Sequence, residues 1–356
     1  MLPYICVMGV SLSGAPLLAR RPKYRWRFLL ALGLLCWLLA SLRYVTGFDY
    51  RSYESMFQEI AAAGLPALRQ SHVEPGFVLL NLAVALPGGN YRAFLFFSHF
   101  LFTALVFLWI GKYASSVWIS AYLFLTLQYF AMSMNLLRQA FAMAVVLWAY
   151  PFLRARRFFP YCGVVFLAAC FHKTAFIMLP MYVPLNMRVS RLHYGTAALA
   201  AGSAYFFIEP LMRVLLPLFP MYQGYSMGRY WQGNSAVYLL FPLGCFLFAW
   251  PLLRRAARGD GASPVLANCA FYSLLIQLFI TRHFILERLS IYTAAFSLIA
   301  LPEAALMPDG KVSSRVRTGI LLAGGFAYFL FAAGEGFHGV YPFHGIWSKA
   351  LSIPRA

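Results

Sequence analysis

Two residues that can handle phosphate and protons, Arg138 and His172, interrupt long apolar stretches of the sequence. A guanidinium binds phosphate oxygens as a bidentate fork, and an imidazole titrates near neutral pH. A basic turn at residues 154–157 separates them, and a span of about 20 residues counted back from this turn begins near Met134. Arg138 should therefore lie about one helical turn inside the far membrane surface, and His172, ~21 Å along the returning helix, should lie short of the same surface. Ionisable groups at such depth are costly and usually functional.

Each of the two residues also has a purely structural interpretation. Arg138 could extend its side chain to the nearby interface, as Lys173 is expected to do. His172 could be a packing histidine that is satisfied by a hydrogen bond. As functional groups, Arg138 would hold an anion in a cavity, and His172 would take a proton from an attacking hydroxyl. The sequence leaves both interpretations open.

A second polar group occurs at the outer end of a later apolar stretch. Arg282 and His283 precede Glu287 and Arg288, and Arg288 shares a helix face with Tyr292 at a spacing of four residues. Ion pairing within the group is one explanation. The other is that the arginines bind a diphosphate.

Acidic residues occur in a polar stretch near the N-terminal third. Asp49 precedes a predicted helix over residues 51–63 that carries Tyr53, and Glu74 precedes Pro75 at another predicted helix start. Either acid could stabilise a helix end or take part in catalysis. Aromatic residues beside acids also suit sugar rings, although such aromatics populate membrane interfaces in general.

Composition identifies the elements that must position these residues. Of the 356 residues, 62% are hydrophobic and 11% are charged, and the mean hydropathy is +0.70. Apolar runs near 20 residues recur along the chain, which predicts an all-α, polytopic transmembrane helical bundle. The net charge of +19 is explained by basic cytoplasmic loops, and no nucleic-acid partner is expected. Six scattered cysteines without a Cys-x-x-Cys pair indicate buried thiols and no disulfide or zinc framework.

Basic clusters predict the topology, because lysine and arginine favour the cytoplasmic side. Placing these clusters inside gives about 12 spans with both termini outside. The first span is interpreted as a retained helix, because its basic residues follow the apolar stretch and do not precede it. The clusters lie near residues 20–27, 112, 154–157, 188–191, 254–258 and 311–317.

The whole chain, 1–356, is predicted to be one integral membrane domain with three outer segments. The first, 47–92, contains an apolar run at 77–86 that is too short to span the bilayer and is expected to be a re-entrant or interfacial helix. A full crossing there would change the span count by one. The other outer segments are a loop at 217–236 and the C-terminal tail at 334–356.

Several catalytic motifs are absent from the sequence. It contains no phosphate-binding Gly-x-x-x-x-Gly-Lys-Ser/Thr loop, no His-Glu-x-x-His and no Asp-x-Asp. ATP is therefore disfavoured as an energy source, as is a metal-dependent nucleotide-sugar enzyme. We expect no cofactor and no metal site.

Short motifs follow one another in a fixed order along the chain. They are Leu42-Arg43-Tyr44, Gly47-Phe48-Asp49 with Tyr53, Glu74-Pro75-Gly76-Phe77, Arg138-Gln139, Phe171-His172 and Glu287-Arg288 through Tyr292. This ordered set resembles the EpsG family, the Wzy-like bacterial polysaccharide polymerases of the inner membrane. The C-terminal Tyr341-Pro342-Phe343 looks like a looser version of the family's ending.

The resemblance implies transfer of a growing glycan from undecaprenyl diphosphate to a lipid-linked repeat unit outside the cytoplasmic membrane. Exopolysaccharide and O-antigen are both possible products, and a chain-length regulator or other assembly proteins are possible partners beside the lipid bilayer. Arg138 with Arg288, and further Arg282 and Arg43, would bind the diphosphate. His172 is the first candidate base, with Asp49 and Glu74 as alternatives. Supporting or glycan-contacting roles fall to Gln139, Tyr53, Glu287, Tyr292 and Tyr341.

Other functions compete with this interpretation. A flippase or transporter of lipid-linked oligosaccharide could use the same basic cavity, although such proteins often contain internal repeats and none is evident here. A membrane O-acyltransferase acting on extracellular glycan would need an acyl-donor site, usually on the cytoplasmic side, where this chain offers basic loops. A purely structural subunit would leave the polar groups inside the outer leaflet unexplained.

Overall fold

A computed structural model describes residues 1–215, 233–259, 263–308 and 312–348. Over these residues the chain is helical, and its only β-type pairing is an isolated bridge between Arg43 and Gly345. The prediction of an all-α chain is therefore confirmed for the described residues. The predicted loop at 217–236 lies mostly outside them, as does the end of the predicted C-terminal tail.

Twenty α-helices form in the described part of the chain, and most are shorter than a membrane span. The first ten are α1 (Leu2–Arg20), α2 (Arg25–Ser41), α3 (Tyr50–Ala63), α4 (Ala67–Gln70), α5 (Pro75–Ala85), α6 (Tyr91–Tyr113), α7 (Val117–Thr126), α8 (Tyr129–Ser133), α9 (Leu137–Leu147) and α10 (Tyr150–Arg154). The others are α11 (Phe158–Ala169), α12 (Met178–Asn186), α13 (Arg191–Phe206), α14 (Ile208–Leu215), α15 (Leu240–Phe248), α16 (Trp250–Arg258), α17 (Val265–Leu278), α18 (Glu287–Ala294), α19 (Ser297–Leu306) and α20 (Ser314–Gly334).

The prediction of about 12 spans is not confirmed. Within the described ranges, four helical segments are long and apolar enough to cross a membrane, and the number rises to seven if each of three bent helix pairs is one span. Helix breaks account for the difference. Gln128, for example, adopts a left-handed conformation with φ of 68°, and the helices on either side of it differ in direction by 47°.

The predicted outer segment 47–92 is built from short helices. Helix α3 confirms the helix predicted over 51–63, and α5 confirms the short apolar helix predicted near 77–86. Because α5 has 11 residues, its length of ~17 Å is about half of a hydrocarbon core. Its location at an interface or within the membrane stays a prediction.

The chain divides into two compact units by internal contacts. The first comprises Met1–Ala149, Gly163–Phe176 and Arg315–Ala356, and the second comprises Tyr150–Cys162 and Ile177–Ser314. The prediction of a single membrane domain was made from apolar runs alone and stays a prediction.

In the first unit, the C-terminal segment returns to the connection between α2 and α3. The backbone N–H of Tyr44 donates to the carbonyl of His344 at 2.8 Å, and that of Ile346 donates to Leu42 at 2.9 Å. The Tyr341 hydroxyl donates to Oε1 of Gln128 at 2.9 Å. These bonds fix the segment that leads into Asp49 and α3.

In the second unit, α17 is a central packing element. The buried Asn268 side chain donates to the carbonyls of Leu185 and Met187 at 3.0 and 2.9 Å, which ties α17 to the end of α12. The ring of Phe271 stacks on Tyr194 of α13 with centroids 3.9 Å apart.

Candidate active site

Glu74 is the centre of a polar cluster in the first unit. Its Oε2 lies 2.8 Å from Nη1 of Arg138, and its Oε1 lies 3.2 Å from Nδ1 of His172. The same Oε1 accepts a hydrogen bond from the backbone N–H of Lys173 at 3.3 Å. Only 1% of the Glu74 side chain is exposed, against 28% for Arg138 and 8% for His172. We call Glu74, Arg138, His172 and Tyr53 the Glu74 cluster.

The start of α5 orients Glu74. The residue before a proline is driven into extended conformation, and Glu74 has φ of −60° and ψ of 137° ahead of Pro75. Glu74 occupies the N-cap position of α5, but its side chain makes no capping hydrogen bond. The helix start predicted here is therefore confirmed. The Glu74 carboxylate, however, contacts Arg138 and His172 and does not cap α5.

A close backbone contact brings His172 to Glu74. The N–H of Gly76 donates to the carbonyl of Cys170 at 2.8 Å, which joins the start of α5 to the turn after α11. A Cβ atom at position 76 would lie 2.7 Å from that carbonyl oxygen, so only glycine allows this approach. The Phe171 ring stacks on Phe141 of α9 at 5.4 Å and supports the same turn.

Arg138 lies in the first turn of α9, where backbone N–H groups have no partner within the helix. Its backbone N–H donates to the hydroxyl of Tyr53 at 3.4 Å, and Tyr53 is on the buried face of α3. The guanidinium uses Nη1 for Glu74, whereas its Nε makes no hydrogen bond within the described residues. Because Nε is buried, an anionic ligand would approach the exposed part of the Arg138 side chain, 28% of which is accessible.

The electrostatics of the cluster keep Glu74 ionised. Glu74 lies outside the candidate spans. Burial raises the pKa of its carboxyl, but the hydrogen bond from His172 and the positive charges of Arg138 and His172 outweigh burial and lower this pKa from 4.5 to about 2. The ionised carboxylate can accept a hydrogen bond from Nδ1–H of His172. When the imidazole is neutral, this arrangement leaves Nε2 as the basic nitrogen of the ring.

Asp49 and Gln139, which were also predicted for the site, lie in the first unit. Asp49 is at the N-cap of α3 without a capping side-chain bond, and its backbone N–H donates to Oδ1 of Asn135 at 2.9 Å. Gln139 follows Arg138 and is buried. No role was predicted for Asn135; its position three residues before Arg138, in an apolar stretch, is the signal that could have identified it.

Arg43 lies in a structural network. Its side chain is fully buried, and Nη1 donates to the carbonyl of Ala40 and to Nε2 of His99, both at 2.8 Å. The ring of Tyr50 lies 5.8 Å from the guanidinium carbon. These contacts explain Arg43 as a group that fixes the end of α2, and its predicted diphosphate contact is not tested.

The remaining predicted residues belong to the second unit. Arg282 lies over the ring of Tyr205 at 5.2 Å, and Nε2 of its neighbour His283 lies 3.2 Å from Oε1 of Glu209, a contact that was not predicted from the sequence. Tyr292 is fully buried in α18, which begins at Glu287 and contains Arg288. The predicted roles of Arg282, Glu287, Arg288 and Tyr292 stay predictions. Across the described ranges, no three His, Cys, Asp or Glu residues are grouped so that they could hold a metal ion.

These features define a helical membrane protein with a buried carboxylate that holds an arginine and a histidine. Comparison with protein families gives the family: the EpsG family model matches residues 26–343, and the chain belongs to the EpsG family. The resemblance found in the sequence motifs is thereby confirmed. Neither the curated proteins nor the solved structures contain a match to the chain.

Proposed function

We propose that this protein is a polysaccharide polymerase. It transfers a growing glycan from undecaprenyl diphosphate to a lipid-linked repeat unit, at the outer face of the bacterial cytoplasmic membrane. Membership of the EpsG family supports a polymerase-like role. The observation that carries the proposal is the Glu74 cluster, in which one buried carboxylate positions a cation for phosphate and a histidine for proton transfer.

The reaction is a glycosyl transfer. A hydroxyl oxygen of the acceptor sugar forms a bond to the anomeric carbon of the donor glycan, and the bond from that carbon to the diphosphate oxygen breaks. Undecaprenyl diphosphate leaves with the electron pair of the broken bond. His172 accepts the hydroxyl proton at Nε2, and Arg138 stabilises the negative charge that develops on the departing diphosphate.

Glu74 has a positioning role in this mechanism. With a pKa of about 2 it is a weak base at neutral pH, which favours His172 as the base. The carboxylate orients the imidazole through Nδ1, as the carboxylate does in a Ser-His-Asp triad, and it also holds Nη1 of Arg138. Asp49 is the alternative base. Arg288, Arg282 and Arg43 are further candidates for the diphosphate, and Gln139, Tyr53, Glu287, Tyr292 and Tyr341 for supporting contacts.

The proposal can be tested in a strain that lacks the gene and is complemented with variants. Arg138→Ala and His172→Ala should each abolish long polymer while lipid-linked single units accumulate at the outer face. Arg69→Ala changes an exposed arginine outside the cluster and should restore a normal polymer ladder. The measurements are a glycan gel and the accessibility of the single units to an enzyme added outside.

Three outcomes would contradict the proposal. A normal ladder from the stably inserted double variant would remove the cluster from the reaction. Single units confined to the cytoplasmic face would favour a flippase. A polymer of normal length that lacks acyl groups would favour an O-acyltransferase.

A further inference from the structure

We propose that an open cleft on the exposed face of α3 binds the sugar residues of the lipid-linked substrate. The cleft has a volume of about 620 Å³ and lies between α3 and the segment that joins α4 to α5. This volume is within the range of about 300–1,000 Å³ that is typical of ligand sites. The inference rests on the proposed function and adds a glycan subsite to it.

Helix α3 lines the cleft with one face and packs against the core with the other. Ser52, Ser55 and Glu59 line the cleft at helical spacing, whereas Tyr53 and Phe57 lie on the buried face. The opposite wall includes Gln70 and His72. The same helix therefore presents a polar surface to the cleft and an aromatic surface to the interior.

The floor of the cleft is apolar and is held in place by packing on a buried cluster. Met56 and Val73 line the cleft and pack on a buried cluster of Ile60, Ala67, Val78 and Leu82. This packing joins α3, α4 and α5, so the cleft is preformed. A pyranose ring presents an apolar face together with hydroxyl edges, which matches an apolar floor with polar walls.

The charges around the cleft nearly cancel, which argues for an uncharged, hydroxyl-rich ligand. Arg51 is paired with Glu54 at 2.7 Å, and the Ser55 hydroxyl donates to Glu59 at 3.1 Å. A carboxylate in the wall would repel a diphosphate or a nucleotide. The serine hydroxyls and the Gln70 amide offer both donors and acceptors to sugar hydroxyls.

The cleft and the catalytic cluster are carried by the same two backbone segments. Ser52 of the cleft precedes Tyr53, whose hydroxyl bonds to the Arg138 backbone, and Val73 of the cleft precedes Glu74. Consecutive Cα atoms are about 3.8 Å apart. The cleft and the cluster are thus connected through α3 and the segment before α5, and a glycan several sugars long is the kind of ligand that could extend from Arg138 to the cleft.

The test measures glycan binding without transfer. Full-length protein in detergent is titrated with lipid-free oligosaccharide, released by mild acid from the host's own lipid-linked pool, and binding is followed by saturation-transfer NMR. Ser55→Trp fills the cleft from an exposed position of α3 and should weaken binding at least tenfold. Gln58→Trp places the same ring at an exposed position of α3 outside the cleft and should bind as the unmodified protein does.

A second, milder pair of variants controls for a purely steric effect of the introduced tryptophan. Gln70→Ala should weaken binding about three- to tenfold, and its exposed neighbour Arg69→Ala should not. Equal affinity of Ser55→Trp and Gln58→Trp would overturn the inference, as would a lack of binding by the unmodified protein at millimolar oligosaccharide.

The outcomes for the cleft and for the polymerase are separable. His172→Ala should keep the oligosaccharide affinity, because His172 is not part of the cleft. Loss of polymer in His172→Ala together with unchanged binding in Ser55→Trp would reject the cleft alone. Normal polymer in His172→Ala together with weakened binding in Ser55→Trp would reject the catalytic assignment and retain the glycan site.

Discussion

Oε2 of Glu74 lies 2.8 Å from Nη1 of Arg138, although 64 residues separate the two in the sequence. Removing one member of a buried ion pair leaves the charge of the other buried without a partner. The resulting loss of stability is usually larger than the net stabilisation that the pair provides. Glu74 also holds His172, which is 98 residues away. The three side chains therefore act as one unit, and a substitution of any one of them changes the surroundings of the other two.

The pH dependence of the free energy of unfolding should reveal how much the ion pairs of Glu74 contribute to stability. Because the pKa of Glu74 falls from 4.5 to about 2 on folding, its contribution is complete above pH 4.5 and is lost as the pH falls through about 2. At about 1.4 kcal/mol per pKa unit, the contribution is on the order of 3 kcal/mol at neutral pH. Glu74→Gln should therefore lower the melting temperature in detergent much more at pH 7 than at pH 2.5.

Glu54 provides the matched control for that experiment, because it forms an exposed pair with Arg51. Exposed pairs contribute at most about 1 kcal/mol. Glu54→Gln should have a small effect at both pH values. A Glu74→Gln deficit that is the same at pH 7 and pH 2.5 would show that lost packing, and not charge, explains the change.

Arg138→Lys should separate charge from guanidinium geometry. Lysine retains the positive charge but lacks the planar fork that can hold Glu74 through one nitrogen and a phosphate through others. We expect the transfer rate to fall about 100-fold, the size of effect seen when one preorganised charge-stabilising donor is removed. The measurement is the initial rate of polymer formation in membrane vesicles, with Arg69→Lys as the control. A rate within threefold of the unmodified protein would show that any cation suffices.

Gly76→Ala should displace Glu74 from His172. The added Cβ would lie 2.7 Å from the carbonyl of Cys170, so the start of α5 must move away from the turn that carries His172. Polymer formation should fall at least tenfold, because a shift near 1 Å is enough to disrupt such geometry. Gly163→Ala in α11 is the control, since no atom outside its own helix lies within 4 Å of its added methyl group. Similar activity of both variants would contradict the proposed positioning by Gly76.

The membrane orientation can be tested by labelling single introduced cysteines. Gln58→Cys in α3 should react with a membrane-impermeant maleimide in spheroplasts, because residues 47–92 are predicted to lie outside. Arg157→Cys in the basic turn should react only after the membrane is permeabilised. The unmodified chain, with its six cysteines, sets the background for the mass shift. The reverse labelling pattern would overturn the proposed location of the site.

Two members of the Glu74 cluster could be identified from the sequence because ionisable residues are unusual in apolar surroundings. Arg138 and His172 stood out in this way, and a count of helical rise brought them toward one membrane face. Their shared contact with Glu74 could not be predicted, because pairing across 64 and 98 residues depends on the tertiary fold. An apolar pattern also could not distinguish Arg43, buried against His99, from an arginine that faces a ligand.

The fold class was predictable from composition, but the number of spans was not. Runs of apolar residues do not reveal where a helix breaks, and breaks after Thr126 and after Ala294 divide stretches that look continuous. The bend at the second of these breaks is 54°. Local backbone geometry of this kind depends on packing, which the sequence pattern does not report.

The most direct test of the central claim is a transfer rate measured with purified full-length protein. The substrate is the lipid-linked repeat unit extracted from a strain that lacks the gene, and the variant is His172→Gln, which keeps a polar side chain but cannot act as a base. We expect bond formation to slow by about 10²–10⁴-fold while oligosaccharide binding is unchanged. A His172→Gln rate within twofold of the unmodified protein would contradict the assignment of the Glu74 cluster as the catalytic centre.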